Sequence, residues 1–173
     1  GVNHKVYKDH YDHALHTGEK AFITEDPTGL YVTHWVGKDR RIDAALLGLV
    51  FPFAVLEPAD KKVIATVRAI EENLWNHNAG GIHRYEGDGY RGGNPWLITT
   101  LWLALYHCTA GNPSRAEELY QWALAQANMH LLLPEQADKH HGGPAWVMPL
   151  NWSHAMFVLT HLALNGRLSL LRK

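Results

Sequence analysis

Two stretches of this chain gather side chains that could hold and act on a small polar molecule. The first, NHNAGGIHRYEGDGYRGGNPW, places Arg84, Tyr85, Glu86, Asp88, Tyr90, Arg91, Asn94 and Trp96 among Gly80, Gly81, Gly87, Gly89, Gly92 and Gly93. Glycine lets the backbone approach a ligand closely and adopt positive φ. Tyr and Trp offer flat apolar faces with a hydrogen-bonding edge, which suits deep cores and sugar rings alike. A solvated surface loop is the plain alternative, but a spacer has no need of Arg, Asp and two Tyr beside a Trp. A phosphate cradle is excluded, because no strand precedes the glycines and no Walker lysine follows them.

The second stretch, LLLPEQADKHHGGPAWVMPLNW, carries Glu135 directly after three leucines and a proline. A carboxylate at an apolar helix end is partly withdrawn from water, a setting that suits a general base. A glutamate after a proline is by itself more often an exposed turn residue. Trp146 and Trp152 nearby in the sequence tip the balance toward chemistry.

Other candidates carry less. His10 and His13 are helical neighbours, but His16 rotates off their face, so with Asp9 and Asp12 they read as surface residues and not as a metal set. His140 and His141 are adjacent and point apart. Cys108 lies inside an apolar run without a neighbouring base and reads as core. Ser153 and His154 diverge by about 100° on a helix and cannot pair as nucleophile and base. No metal and no cofactor is expected.

The elements that must position these residues are helical. Hydrophobic periodicity marks six segments, at about 3–17, 41–55, 59–76, 95–110, 113–127 and 150–164, alternately amphipathic and apolar all round. Asn94-Pro95 and Asn112-Pro113 read as N-cap and first helical residue of the fourth and fifth, Pro52 as an end or kink of the second, and Asn165-Gly166 as the stop of the sixth. The apolar segments begin near 41, 95 and 150, a spacing of 54 or 55 residues that describes a threefold repeat of a helical hairpin. An inner ring of enclosed helices backed by amphipathic ones is an all-α, α/α toroid. Loops leading into the apolar helices are long, at about 22–40, 77–93 and 133–149, and gather at one rim. Rims of this kind on a rigid scaffold are where binding and catalysis concentrate.

Composition narrows the partners. The 173 residues are 46% hydrophobic and 19% charged, with 16 Lys+Arg against 17 Asp+Glu, one Cys, 7 Trp, 7 Tyr and 13 His. A net charge of −1 without a cationic run gives no footprint for nucleic acid. The longest apolar stretch, AALLGLVFPFAVL, has about 13 residues and is too short to span a membrane. A single cysteine excludes an internal disulfide framework. Residues 1–173 read as one domain, and the opening GVNHKVYKDHYDH, helix-like from its start and lacking an apolar leader core, reads as the start of a fragment or processed chain.

At HRYEGDGYRGGNPW, then LPEQ, then PLNWSHA, the sequence resembles glycoside hydrolase family 15, the glucoamylase-like enzymes, over about residues 80–160, and more weakly from Asp43-Ala44-Ala45-Leu46-Leu47 onward. The resemblance implies a barrel of six helical hairpins of which this chain holds about three, roughly half a barrel and the C-terminal half of a catalytic domain. It implies Glu135 as the general base that activates the attacking water, and Arg84 as the group that hydrogen-bonds sugar hydroxyls. Tyr85, Asp88 and Tyr90 would brace that arginine or line the pocket, and Trp96 and Trp152 would wall it. The reaction would be inverting hydrolysis of an α-glucan or α-glucoside, with two carboxyls roughly 6.5–9.5 Å apart. Two departures matter: no segment matches the family's general acid, since Glu19, Glu25 and Glu57 lack its aromatic context, and Ala137 stands where many fungal members carry an aromatic. The expected partners are the sugar substrate and either the remaining half of the barrel or a second copy. A cytoplasmic setting is expected over a secreted one. A carbohydrate-binding or structural remnant without catalysis is the alternative.

Overall fold

The computed structural model describes residues 41–168 together with the backbone of residues 23–26 and 29–32. The expected helix at 3–17, with His10, His13 and His16, lies outside the described residues. Within the first long loop, β1 (Ile23–Asp26) pairs antiparallel with β2 (Gly29–Val32), Ile23 opposite Val32. This hairpin was not expected from the helical periodicity.

Four α-helices follow among the described residues: α1 (Lys61–Leu74), α2 (Leu97–Thr109), α3 (Pro113–Ala125) and α4 (Asn151–Leu164). Asp60 caps α1 by accepting the Lys62 N–H at 2.7 Å, and Val63, Val67, Ile70 and Leu74 form its buried stripe. Asn112 caps α3 with Pro113 in its first turn, as expected, and Ala116, Leu119 and Ala123 face inward. Gly166, at φ +65°, follows the end of α4.

Two expectations fail. The segment 41–55 is not an α-helix but a 3₁₀ turn over Ala44–Leu49, begun by Asp43 accepting the Ala45 N–H at 2.6 Å. Pro52 has no N–H and its ring would meet the Gly48 carbonyl in a continuing helix, so the chain turns over Phe51–Phe53 instead, with the Phe53 N–H on Gly48 O. Asn94 does not cap α2. Its N-cap residue is Trp96, without a side-chain cap, because Asn94 is spent on long-range hydrogen bonds described below.

The core forms around α2, where Leu97, Leu101, Leu103, Ala104 and Leu105 are fully buried. One cluster joins the 3₁₀ turn, α1 and α2 through Leu47, Val67, Ile70 and Leu103. A second joins α2, α3 and α4 through Leu101, Leu105, Ala123 and Met156, with Tyr120 stacked on Phe157 at 4.3 Å. So α2 is the enclosed helix and α1 and α3 back it. Helix α4, apolar nearly all round, buries only Ser153, Met156 and Thr160 and leaves Trp152 and Val158 exposed. Two-residue strands β3 (Gln136–Ala137) and β4 (Pro144–Ala145) pair antiparallel inside the third long loop.

Candidate active site

The two chemistry-bearing loops are stitched together backbone to backbone. Ile82 bridges Trp75 and Trp96, and Trp96 bridges Gln136. The Trp96 N–H donates to Ile82 O at 2.9 Å, the Ala137 N–H to Pro95 O at 3.0 Å and the Leu97 N–H to Glu135 O at 3.2 Å. Two threonines of the first turn of α2 lock the seam: Thr99 Oγ1 donates to Ile82 O at 3.0 Å and the Ile82 N–H donates to Thr100 Oγ1 at 3.0 Å. On the other side, Asp43 bridges Tyr85, and the Ala44 N–H donates to Arg84 O at 2.7 Å. The second and third of the expected long loops therefore meet, with the segments bearing Arg84 and Glu135 on either side of Pro95–Leu97.

The PLNWSHA segment holds the residues around Glu135 in place. Ser153 Oγ donates to Pro134 O at 2.7 Å, the Leu133 N–H donates to His154 Nε2 at 3.0 Å, and the Leu150 N–H reaches Leu133 O at 3.0 Å. The Glu135 N–H donates to Val147 O at 2.8 Å. Ser153 and His154 thus serve different backbone atoms and are not a nucleophile and base.

Between the loops lies a cavity of about 440 Å³. Arg84, Tyr85, Trp96, Glu135 and Trp152 line it, five of the seven residues singled out in the sequence. Asp88 and Tyr90 do not, and stand behind Arg84. Asp88, its side chain fully buried, takes the guanidinium in a two-pronged grip, Nε to Oδ2 and Nη2 to Oδ1, each at 2.8 Å. Aromatic rings enclose the same guanidinium: Cζ is 4.4 Å from the Trp96 ring centroid, 4.9 Å from Tyr90 and 5.2 Å from Tyr85. The hydrogen bonds that Arg84 donates to Asp88 raise the Arg84 pKa against the opposing effect of burial, and the charge of Glu135 contributes in the same direction. For Asp88, burial pushes the carboxyl up, yet the Arg84 fork and the Tyr90 N–H hold it below the ordinary carboxylate value.

Glu135 ends a chain of buried amides whose orientation is set at both ends. The Lys139 N–H can only donate, and it does so to Asn94 Oδ1 at 3.2 Å. Asn94 Nδ2 therefore points to Gln136 Oε1, at 3.0 Å, which turns Gln136 Nε2 to Glu135 Oε2, also at 3.0 Å. Gln136 is fully buried, and its amide fixes one oxygen of the Glu135 carboxylate.

The sequence reading missed several wall residues: Asp43, Ala45, Ile98, Thr99, Trp102 and Leu150. Trp102 was hidden in an apolar run, although Ile98, Thr99 and Trp102 share a helix face at steps of three and four. Asp43 lines the cavity with its Oδ1 engaged by the Ala45 N–H. Trp102 meets Trp152 edge-on at 5.9 Å. Cys108 is only half-buried, not core, and burial, helped by the Glu117 charge, lifts its thiol to about 11. Among the described residues no group of three His, Cys, Asp or Glu could hold a metal, and no helix is long and apolar enough to cross a membrane. His140 and His141 each donate a backbone N–H to Asp138 Oδ1, at 2.9 and 3.0 Å, as a loop turn does.

No protein-family model matches the chain. It is 38% identical over 134 residues to an uncharacterized glycosyl hydrolase of Methanocaldococcus jannaschii, covering 70% of this chain and 22% of that protein. It is 30% identical over 140 residues to the isomaltose glucohydrolase of Kribbella flavida, covering 75% of this chain and 36% of that one. The chain thus spans between about a fifth and a little over a third of these relatives. Among solved structures it superposes on a bacterial glucoamylase complexed with acarbose, with a TM-score of 0.79 at 21% identity over 96% of this chain and 30% of that one. A glycosidase variant in complex with glucose gives 0.76 at 22% identity over 95% of this chain and 46% of its own. The mainly helical layout and these superpositions together give the chain the fold of part of a glucoamylase-like α/α toroid.

Proposed function

We propose that this chain is part of an inverting, glucoamylase-like glycoside hydrolase of family 15 that releases glucose from the non-reducing end of α-glucans or α-glucosides. Glu135 is the general base, deprotonating the water that attacks the anomeric carbon. Arg84 donates to sugar hydroxyls, Tyr85, Trp96 and Trp152 wall the glucosyl unit, and Asp88 and Tyr90 hold Arg84 in place. The observation that carries this reading is the shared cavity: a rigidly gripped donor fork and a carboxylate with one oxygen fixed face one space lined by Trp96, Trp102 and Trp152.

No segment of this chain matches the general acid that the family resemblance implies, so that role is assigned to another part of the barrel. Loss of one member of an acid–base pair forfeits roughly 100- to 10,000-fold in rate, and the chain alone is expected to bind sugar with little turnover. The test measures glucose release from maltose, isomaltose and trehalose by the chain alone and by the chain combined with the remainder of the barrel. Release on recombination, abolished by Glu135→Gln with sugar binding retained, supports the assignment. Sugar binding without release in either format leaves the carbohydrate-binding alternative, and full activity of Glu135→Gln sinks the role of Glu135.

A further inference from the structure

The alternation of guanidinium and ring does not stop at the cavity wall. Trp96, in the wall, meets Tyr90 at 5.9 Å between centroids. Arg91 Cζ lies 5.7 Å from the Tyr90 centroid and only 3.7 Å over the Trp146 ring. A continuous series, Trp96, Tyr90, Arg91, Trp146, thus runs outward from the buried wall to a half-exposed indole, 49% accessible. Arg91 and Trp146 are both non-glycine residues at left-handed φ, +49° and +61°, a conformation that costs on the order of 1–3 kcal/mol each and persists where the surroundings over-determine it.

The loops are also fastened at this point: Lys139 Nζ donates to Gly92 O at 2.7 Å, and Asn94 Nδ2 to Arg91 O at 3.2 Å. Trp146 precedes Val147, whose carbonyl receives the Glu135 N–H, so the indole stands one residue from the strand that holds the carboxylate. Asp88 takes two of the five N–H donors of Arg84, whereas no carboxylate among the described residues pairs with Arg91. The result is a planar set of up to five N–H donors, oriented by stacking and without a carboxylate partner among the described residues, beside a half-exposed indole. Those are the two things a pyranose unit needs: donors for its hydroxyl oxygens and a flat apolar surface for its C–H face.

Resting on the glycosidase reading above, we propose that Arg91 and Trp146 form an outer saccharide subsite that takes a glucosyl unit of an oligosaccharide beyond the unit held in the cavity. Trp146 is the platform and Arg91 the hydrogen-bond donor, and the strained backbone presents both. The chain is therefore adapted to oligosaccharides longer than a disaccharide.

The test is calorimetric titration of the chain with glucose, maltose, maltotriose and maltoheptaose, for wild type, Trp146→Ala, Arg91→Ala and Arg84→Ala. The expected result is a wild-type affinity that rises about tenfold or more from glucose to the longer sugars. Trp146→Ala and Arg91→Ala remove that rise and leave glucose binding as it was, whereas Arg84→Ala weakens every sugar alike. The subsite is overturned if both rim variants keep the full length-dependent rise, or if they weaken glucose and maltoheptaose equally. Failure of every sugar to bind wild type, with its near-ultraviolet dichroism showing a packed fold, overturns the cavity reading itself and the subsite with it. The isomalto series in parallel shows whether the platform favours one linkage.

Discussion

Arg84 shows how a single residue is made into a tool. Its donors are oriented by the buried Asp88 carboxylate, its faces are covered by Tyr85, Tyr90 and Trp96, and its remaining edge meets the cavity. Because Asp88 is held below its ordinary carboxylate pKa in the fold, the unfolded chain takes up its proton at higher pH than the folded one does. The pair therefore contributes stability that is fully present above the unfolded carboxyl value, about 3.9, and lost as pH falls through the lower folded value. Asp88→Asn is expected to lower the melting temperature near neutral pH and to lose less of it than wild type on acidification below about pH 4. Parallel melting curves of the two proteins across that range are the check, and identical acid slopes would show that the grip does not matter to folding. Arg84 and Glu135 were legible in the sequence because their neighbours are unusual locally: glycines and tyrosines around one, leucines and a proline before the other. Asn94 was not legible. The dipeptide Asn-Pro caps α3 at Asn112, but at Asn94 the same dipeptide is claimed by Gln136 and Lys139, more than forty positions away, and no local rule sees that competition.

At the scale of elements, the amphipathic helices α1 and α3 were readable because one stripe must be buried and the rest solvated. Helices and turns that are apolar on every side hide their own orientation. That is why the face of α2 carrying Trp102 toward the cavity was missed, and why the 3₁₀ turn at Ala44–Leu49 read as a longer helix until Pro52 broke it. The loop seam has its own requirement at Gly81, which has φ +74° and against which the Trp122 ring of α3 packs so closely that an added Cβ would overlap it. Trp122 cannot simply withdraw, since its Nε1 donates to Ala79 O at 2.7 Å. Gly81→Ala thus combines left-handed strain with overpacking, about 2–4 kcal/mol in all, and a fall in melting temperature of roughly 5–10 °C for a chain of this size. Gly87→Ala is the internal control: its φ is +75° but nothing stands within 4 Å of the added Cβ, so strain alone acts and about 1 kcal/mol is expected. Equal losses at the two sites would mean that Trp122 repacks freely and does not anchor the glycine-rich loop to α3.

For the molecule as a whole, the decisive feature is the outer face of α4. Trp152, Ala155, Val158 and Leu162 follow one another at steps of three, three and four residues, a stripe of the kind that another element ordinarily covers. Here Trp152 is 52% and Val158 55% accessible, and α4 is the last described helix of a fold that spans 30–46% of the solved chains it superposes on. Contiguous exposed apolar surface of this kind drives association, and Trp152 belongs to both the stripe and the cavity wall, so covering the stripe also closes one side of the cavity. The chain by itself is therefore expected to self-associate in a concentration-dependent way, measurable by sedimentation equilibrium. Val158→Glu, which places a charge in the stripe but touches no cavity residue named above, is expected to shift the distribution to monomer while leaving α2 and its core packed. If wild type sediments as a monomer at every concentration and Val158→Glu changes nothing, the stripe tolerates water and the chain stands alone. If association is seen, the same variant measures how far sugar affinity depends on it: a cavity completed by the covered face binds glucose more tightly in the associated state, and Val158→Glu lowers that affinity without altering any group that contacts the sugar.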